Sequence, residues 1–242
     1  MKKQIITLDI NYNKEITDLT YPYMKKYAHK IQADFNIITE RKFPEYGANI
    51  EKFQLYELSK EYDWTIFLDA DAIVHPNTPD ITEIVGKDTV IFNGNDISNL
   101  RFRPNNYTRR DGRWIGACTW LTCFSDWCRD LWHPYENPYQ YIDEIFPLHM
   151  EINYGYEAEH IIDDYLVTRN IAKYGLKVKS IVKDIYGDYS EEKEPGFFYH
   201  LFCVKEKEKI ASLKKYIHNI NNHHFGEEIK TNYGLLKKQV WS

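Results

Sequence analysis

Apolar residues in the first hundred positions alternate between short unbroken runs and stretches with helical spacing. "QIITLDI" is a run that predicts a strand, and "YPYMKKYAHKIQ" predicts a helix entered through Pro22. "FNIIT" predicts a second strand, and "NIEKFQLYELSKEY" a second helix with Asn49 as its cap. "WTIFLD" and "DTVIFN" add further strands. This order predicts an α/β fold with a mostly parallel central sheet flanked by helices, in which functional groups gather at the carboxyl ends of the strands.

The second half is less regular, with a middle rich in Pro, Asn and Tyr from Trp132 to Tyr156. "EHIIDDYLVTRNIAKYG" restores a helix: Ile161, Ile162, Tyr165 and Leu166 form its apolar stripe, and Gly175 stops it. "LKVKSIV" and "GFFYHLF" follow, then a helix rich in Lys and Glu from about Val204 to His218. No repeat or linker interrupts the pattern, so residues 1–242 are expected to form one domain, its irregular middle building a second substrate pocket.

Composition narrows the function. The 43% hydrophobic content, broken by only 11 Gly and 9 Pro, is that of a folded chain. A net charge of -5 provides no basic field, which argues against a nucleic-acid partner. Cys118, Cys123, Cys128 and Cys203 have neither the spacing of a zinc site nor the density of a disulfide framework. The apolar run in "MKKQIITLDINY" is too short for a signal peptide or a transmembrane segment. Together these predict a cytoplasmic protein.

The chemistry centres on "YDWTIFLDADAIVHPNTPDI", where Asp69 and Asp71 follow a run suited to a buried strand. Buried unpaired carboxylates are costly. Two acids at i and i+2 around a strand end can converge on one hard cation, and Mg²⁺ or Mn²⁺ keeps positions free for phosphate oxygens. The plain alternative is a pair of loop acids capping the next element.

The stretch from "EKFQLYELSKEYDWTIFLDADAIV" to "HPNTPDI" resembles GT-A fold glycosyltransferases, where a helix leads into a strand ending in a DxD motif. It is most similar to the glycogenin-like glycosyltransferase family 8. The galactosyl- and xylosyltransferase family with a DxD and a late His is an equal relative. This resemblance implies a metal-dependent hexosyltransferase, acting on a nucleotide-diphosphate sugar such as a UDP-sugar and an acceptor hydroxyl on a glycan or other molecule, with retention of configuration. It divides the chain into a nucleotide-sugar half, about 1–100, and an acceptor half, about 101–242. Asp69, Asp71 and His200 become ligands of Mn²⁺ or Mg²⁺. Ala70 and Lys52 contact the donor, and Leu8, Asn11 and Tyr12 line the base pocket. Gly116 and Ala117 lie beneath the sugar, Trp114 or Trp120 stacks on an acceptor, and Asp163 and Asp164, with Lys52, serve catalysis. The family usually has Gly three residues after its late His, followed by Lys-Pro-Trp; here Cys203 stands there and no Pro-Trp follows. Five Arg between Arg101 and Arg113 suit an anionic acceptor or a solvated loop.

Two other readings compete. "FLDADAIV" also resembles the first motif of haloacid-dehalogenase-like phosphatases, with Asp163 and Asp164 as the later acidic pair, although that motif ends the first strand of its core and strand-helix units precede it here. The third reading is a catalytically silent sugar-binding protein of the same fold.

Overall fold

The computed structural model describes residues 1–93, 119–144, 159, 161–181, 197–201 and 204–222. Strands β1 (Lys3–Leu8), β2 (Ala33–Ile38), β3 (Trp64–Asp69), β5 (Thr89–Phe92), β6 (Leu121–Ser125) and β7 (Lys177–Ser180) form one sheet in the order β2-β1-β3-β6-β5-β7. β1 runs parallel to β2 and β3, and β5 runs parallel to β7. β6 is antiparallel to both of its neighbours. The expected α/β fold with a mainly parallel sheet flanked by helices is therefore present, with one reversed strand inserted between β3 and β5. A shorter ribbon pairs β4 (Ile73–Val74) with β8 (Phe198–Tyr199).

Strand alternation divides the core between the two faces. Ile6, Leu8, Phe67, Val90, Phe92 and Phe124 point to one face, where they meet Ile50, Phe53, Trp132 and the stripe of helix α3 (Ile162–Tyr174). Ile5, Ile66, Leu68, Ile91, Leu121 and Cys123 point to the other, against Met24, Tyr27 and Ala28 of helix α1 (Lys14–Lys30). Phe67, fully buried, contributes roughly 1.5–3 kcal/mol by leaving water. Asp69, two residues beyond Phe67, projects to the α3 face, so the strand's own period brings this carboxylate towards α3.

Two helix boundaries differ from expectation. α1 starts at Lys14, and Pro22 lies inside it. Asn13 caps this earlier start by accepting from Glu15 N at 2.7 Å, and Asp18, whose carbonyl loses its partner to Pro22, is on the exposed side. The segment after Gly47 is a 3-10 helix, Ala48–Gln54, followed by the single-turn α2 (Leu55–Leu58). Gly47 precedes it, so Asn49 is not the cap; its amide instead reaches Glu159 O at 2.8 Å and Asp163 Oδ1 at 3.1 Å. α3 ends at Gly175 with φ 66, where Leu176 N bonds Ile171 O at 3.1 Å, the left-handed stop foreseen there. Helix α4 (Glu206–Asn222) packs on α1 and the ribbon through Leu213 and Tyr216.

Candidate active site

The carboxyl ends of β1 and β3 lie side by side, with Leu8 opposite Asp69. Asp69 N donates to Trp120 O at 2.8 Å, and Ala72 N returns to Asp69 O at 2.9 Å, closing a turn around Ala70 and Asp71. The Thr20 hydroxyl of α1 donates to Ala70 O and holds that turn from the side. β4 then pairs with β8, so His200, one residue past Tyr199, arrives beside the turn. Its Nε2 lies 3.1 Å from Asp71 Oδ1 and 3.8 Å from Asp69 Oδ2. One ligand atom from each of Asp69, Asp71 and His200 falls within 4.8 Å of the others.

The residues present fit a divalent cation. Asp71 is 2% exposed, and its buried Oδ1 has the His200 imidazole 3.1 Å away but no hydrogen bond among the described residues. A buried carboxylate oxygen in that state calls for a positive partner. Two carboxylates and one imidazole suit Mn²⁺ or Mg²⁺. Burial pushes the Asp71 carboxyl up, but the His200 imidazole and the Lys209 ammonium outweigh it and hold the group far below the usual carboxylate range. Lys209, from α4, forms an ion pair with Asp71 Oδ2. The ring of Trp120 stacks on His200 at 4.7 Å and 18°, which fixes the imidazole plane.

A second cluster adjoins the first on the α3 face. Lys52, 6% exposed, lies over the Phe67 ring and places Nζ 3.1 Å from Asp69 Oδ1 and 3.0 Å from Asp163 Oδ2. Thr119 Oγ1 is 3.2 Å from Lys52 Nζ and 2.7 Å from both Asp163 Oδ2 and Asp164 Oδ1, while Thr119 N donates to Asp164 Oδ1 at 2.9 Å. Burial works against the Lys52 charge, yet Asp163, Asp69 and Asp164 more than compensate and raise its pKa. Burial likewise opposes the Asp163 charge, and Lys52, Thr119 and Asn49 overcome it, so Asp163 titrates below the ordinary range. Among the described residues of the two clusters, the carboxylates of Asp69, Asp71, Asp163 and Asp164 outnumber the ammonium groups of Lys52 and Lys209 by two, the charge of one divalent ion.

The remaining expected residues fall as follows. Leu8 closes β1 beside Asp69, and Asn11, at φ 58, turns the chain towards Tyr12. The Tyr12 phenol is held protonated far above its ordinary range, first by burial and then by Asp71 and Asp69. Asp163 is 2% exposed, so it is no solvent-facing helix acid, and Asp164 is partly buried. Trp120 is buried with its ring stacked on His200, and its carbonyl accepts from Asp69 N in the neighbouring turn. Gly116, Ala117, Trp114, the Arg101–Arg113 stretch and Cys203 lie outside the described residues. Thr119, Asn49 and Lys209 were not foreseen in these roles. A signal existed for Lys209 alone: it shares the face of α4 that carries Leu213 and Tyr216, an unusual place for a lysine.

Among the described residues, no helix is long and apolar enough to cross a membrane. No protein-family model matches the chain, and no curated protein does. Among solved structures, the chain is similar to a glycosyltransferase involved in the glycosylation of the major capsid of PBCV-1, at 12% identity and a TM-score of 0.48, covering 89% of this chain and 100% of that one.

Proposed function

We propose that this chain is a metal-dependent glycosyltransferase that moves a hexose from a nucleotide-diphosphate sugar, a UDP-sugar by resemblance, to an acceptor hydroxyl with retention. One observation carries the reading: Asp69, Asp71 and His200 converge at the carboxyl end of the central strands, within reach of the buried Asp163. When bound there, Mn²⁺ or Mg²⁺ would supply Lewis-acid stabilisation to a departing diphosphate. Asp69, Asp71 and His200 would hold it, and Leu8, Asn11 and Tyr12 border the same strand ends, where a nucleotide base would lie. Asp163 and Asp164 would face the transferred sugar and accept hydrogen bonds from its hydroxyls. Both halves of the chain contribute strands to one sheet, which supports a single domain with its donor side in the first half and its acceptor side in the second. The free, buried thiols of Cys123 and Cys128 suit a reducing, cytoplasmic setting.

The test incubates the chain with a panel of nucleotide sugars and Mn²⁺. Slow release of nucleoside diphosphate from one or two donors is expected, with a loss of at least about 100-fold in Asp71→Asn, on the scale of removing one electrostatic group from a catalytic centre. Release of inorganic phosphate from simple esters would identify a phosphatase instead, and binding without any release would identify a silent sugar-binding protein.

A further inference from the structure

A lysine ammonium carries three protons, and Lys52 Nζ has three oxygen partners: Asp69 Oδ1 at 3.1 Å, Asp163 Oδ2 at 3.0 Å and Thr119 Oγ1 at 3.2 Å. The hydrogen bond goes to Thr119 and the two carboxylates hold the ammonium as ion pairs, so turning away to reach a diphosphate would leave Asp163 buried without its counter-charge. We propose that Lys52 is a positioning residue that couples the metal centre to the Asp163–Asp164 pair, with Thr119 as the neutral clamp between the two carboxylates. The metal half of this coupling rests on the reading above.

The geometry gives each partner a part. The Lys52 ammonium fixes Asp69 through Oδ1, leaving Oδ2, the oxygen nearer His200, to face the metal position. The same ammonium fixes Asp163 through Oδ2, while Asn49 holds Oδ1 at 3.1 Å, so both oxygens of that carboxylate are pinned. Thr119 extends the constraint to Asp164 through its backbone N–H at 2.9 Å, and its hydroxyl, 2.7 Å from both Asp163 and Asp164, gives its single proton to one of the two carboxylates at a time. The two acidic centres therefore share one positive charge, and a change at either is felt by the other through Lys52.

That sharing has a definite sign. Asp163→Asn keeps the shape but leaves Asp69 as the one carboxylate in contact with the Lys52 ammonium, with Asp164 acting from farther off, so the ammonium competes harder for Asp69 and repels an incoming divalent cation. Titration calorimetry of the full chain with Mn²⁺ alone should show affinity falling roughly 5-fold or more, the lower range of inter-site coupling. In a Lys52→Met background the same Asp163→Asn change should alter Mn²⁺ affinity less than about twofold, because the shared charge has gone. Unchanged affinity in Asp163→Asn, or an equal shift in both backgrounds, overturns the proposal.

Urea unfolding of the same four proteins in EDTA reads the coupling without any metal. Lys52→Met and Asp163→Asn should each destabilise, and the double variant should be no less stable than the worse single one. Strictly additive losses overturn the coupling. A wild-type chain that takes up no Mn²⁺ would sink the metal-dependent reading on its own, and the unfolding cycle would still decide for or against the shared charge.

Discussion

His75, four residues past Asp71, is buried at 3% exposure and works as a neutral ring: its Nδ1 accepts from Asn77 N at 3.1 Å. Burial, then the Lys30 ammonium, pushes its pKa below the ordinary imidazole value of about 6.5. A histidine lowered on folding contributes stability that is present above the unfolded pKa and is lost as pH falls through the window down to the folded one. Thermal melts should therefore drop as the pH falls below about 6.5. His75→Asn, whose side-chain oxygen can accept from the same N–H without titrating, should flatten that part of the drop. An identical pH dependence in the two proteins would sink the assignment. At this scale the sequence disclosed residues whose chemistry conflicts with their local pattern. Asp69 and Asp71 interrupt an apolar run, and His200 follows three aromatics, so each demanded a partner. Thr119 and Asn49 carry no such conflict. Their roles come from contacts across 44 and 110 positions of chain, which no local pattern encodes.

Elements explain why His200 arrives where it does. The ribbon β4–β8 is only two residues per strand, too short to stand alone, and α4 braces it through Tyr216, whose ring stacks on Tyr199 at 4.2 Å and 5°. Tyr216 is 5% exposed, so Tyr216→Ala removes a buried ring and should cost about 3 kcal/mol in urea unfolding with an unchanged slope. Tyr216→Phe keeps the ring and should recover most of the loss. Because the same helix presents Lys209 to Asp71, amide exchange in the first turns of α4 should also accelerate in Tyr216→Ala. A Tyr216→Ala protein as stable as wild type would show that α4 is not what holds the ribbon. The strands were legible because their apolar runs are short and bounded, and the stop at Gly175 because few residues other than glycine adopt a left-handed cap. The start of α1 was not, because Pro22 is a strong signal for a first turn and the Asn13 cap lies nine positions earlier. The reversed β6 was also hidden, since strand direction is decided by neighbours and leaves no trace in a strand's own period.

For the molecule as a whole, the clusters at the strand ends hold more negative than positive charge among the described residues, where Lys209 and Lys52 offset part of it. Anything that binds the folded chain and not the unfolded one stabilises it by mass action, about 2.7 kcal/mol at a hundred times its dissociation constant. For a chain of 242 residues each kcal/mol raises the melting temperature by roughly 2–4 °C, so saturating Mn²⁺ should raise it by roughly 5–10 °C. The increment should vanish in His200→Ala and Asp71→Asn, which remove proposed ligands, and persist in Tyr216→Phe, which alters none of them. Asp71→Asn should also behave unlike a simple loss of charge. It leaves the half-buried Lys209 ammonium without the Asp71 carboxylate, so the variant should be less stable than wild type in EDTA as well as insensitive to the ion. Mg²⁺ should act like Mn²⁺ but at higher concentration, since it binds an imidazole ligand less well. An Mn²⁺ increment that survives in both His200→Ala and Asp71→Asn would place the ion elsewhere on the protein and remove the charge argument for the strand-end site.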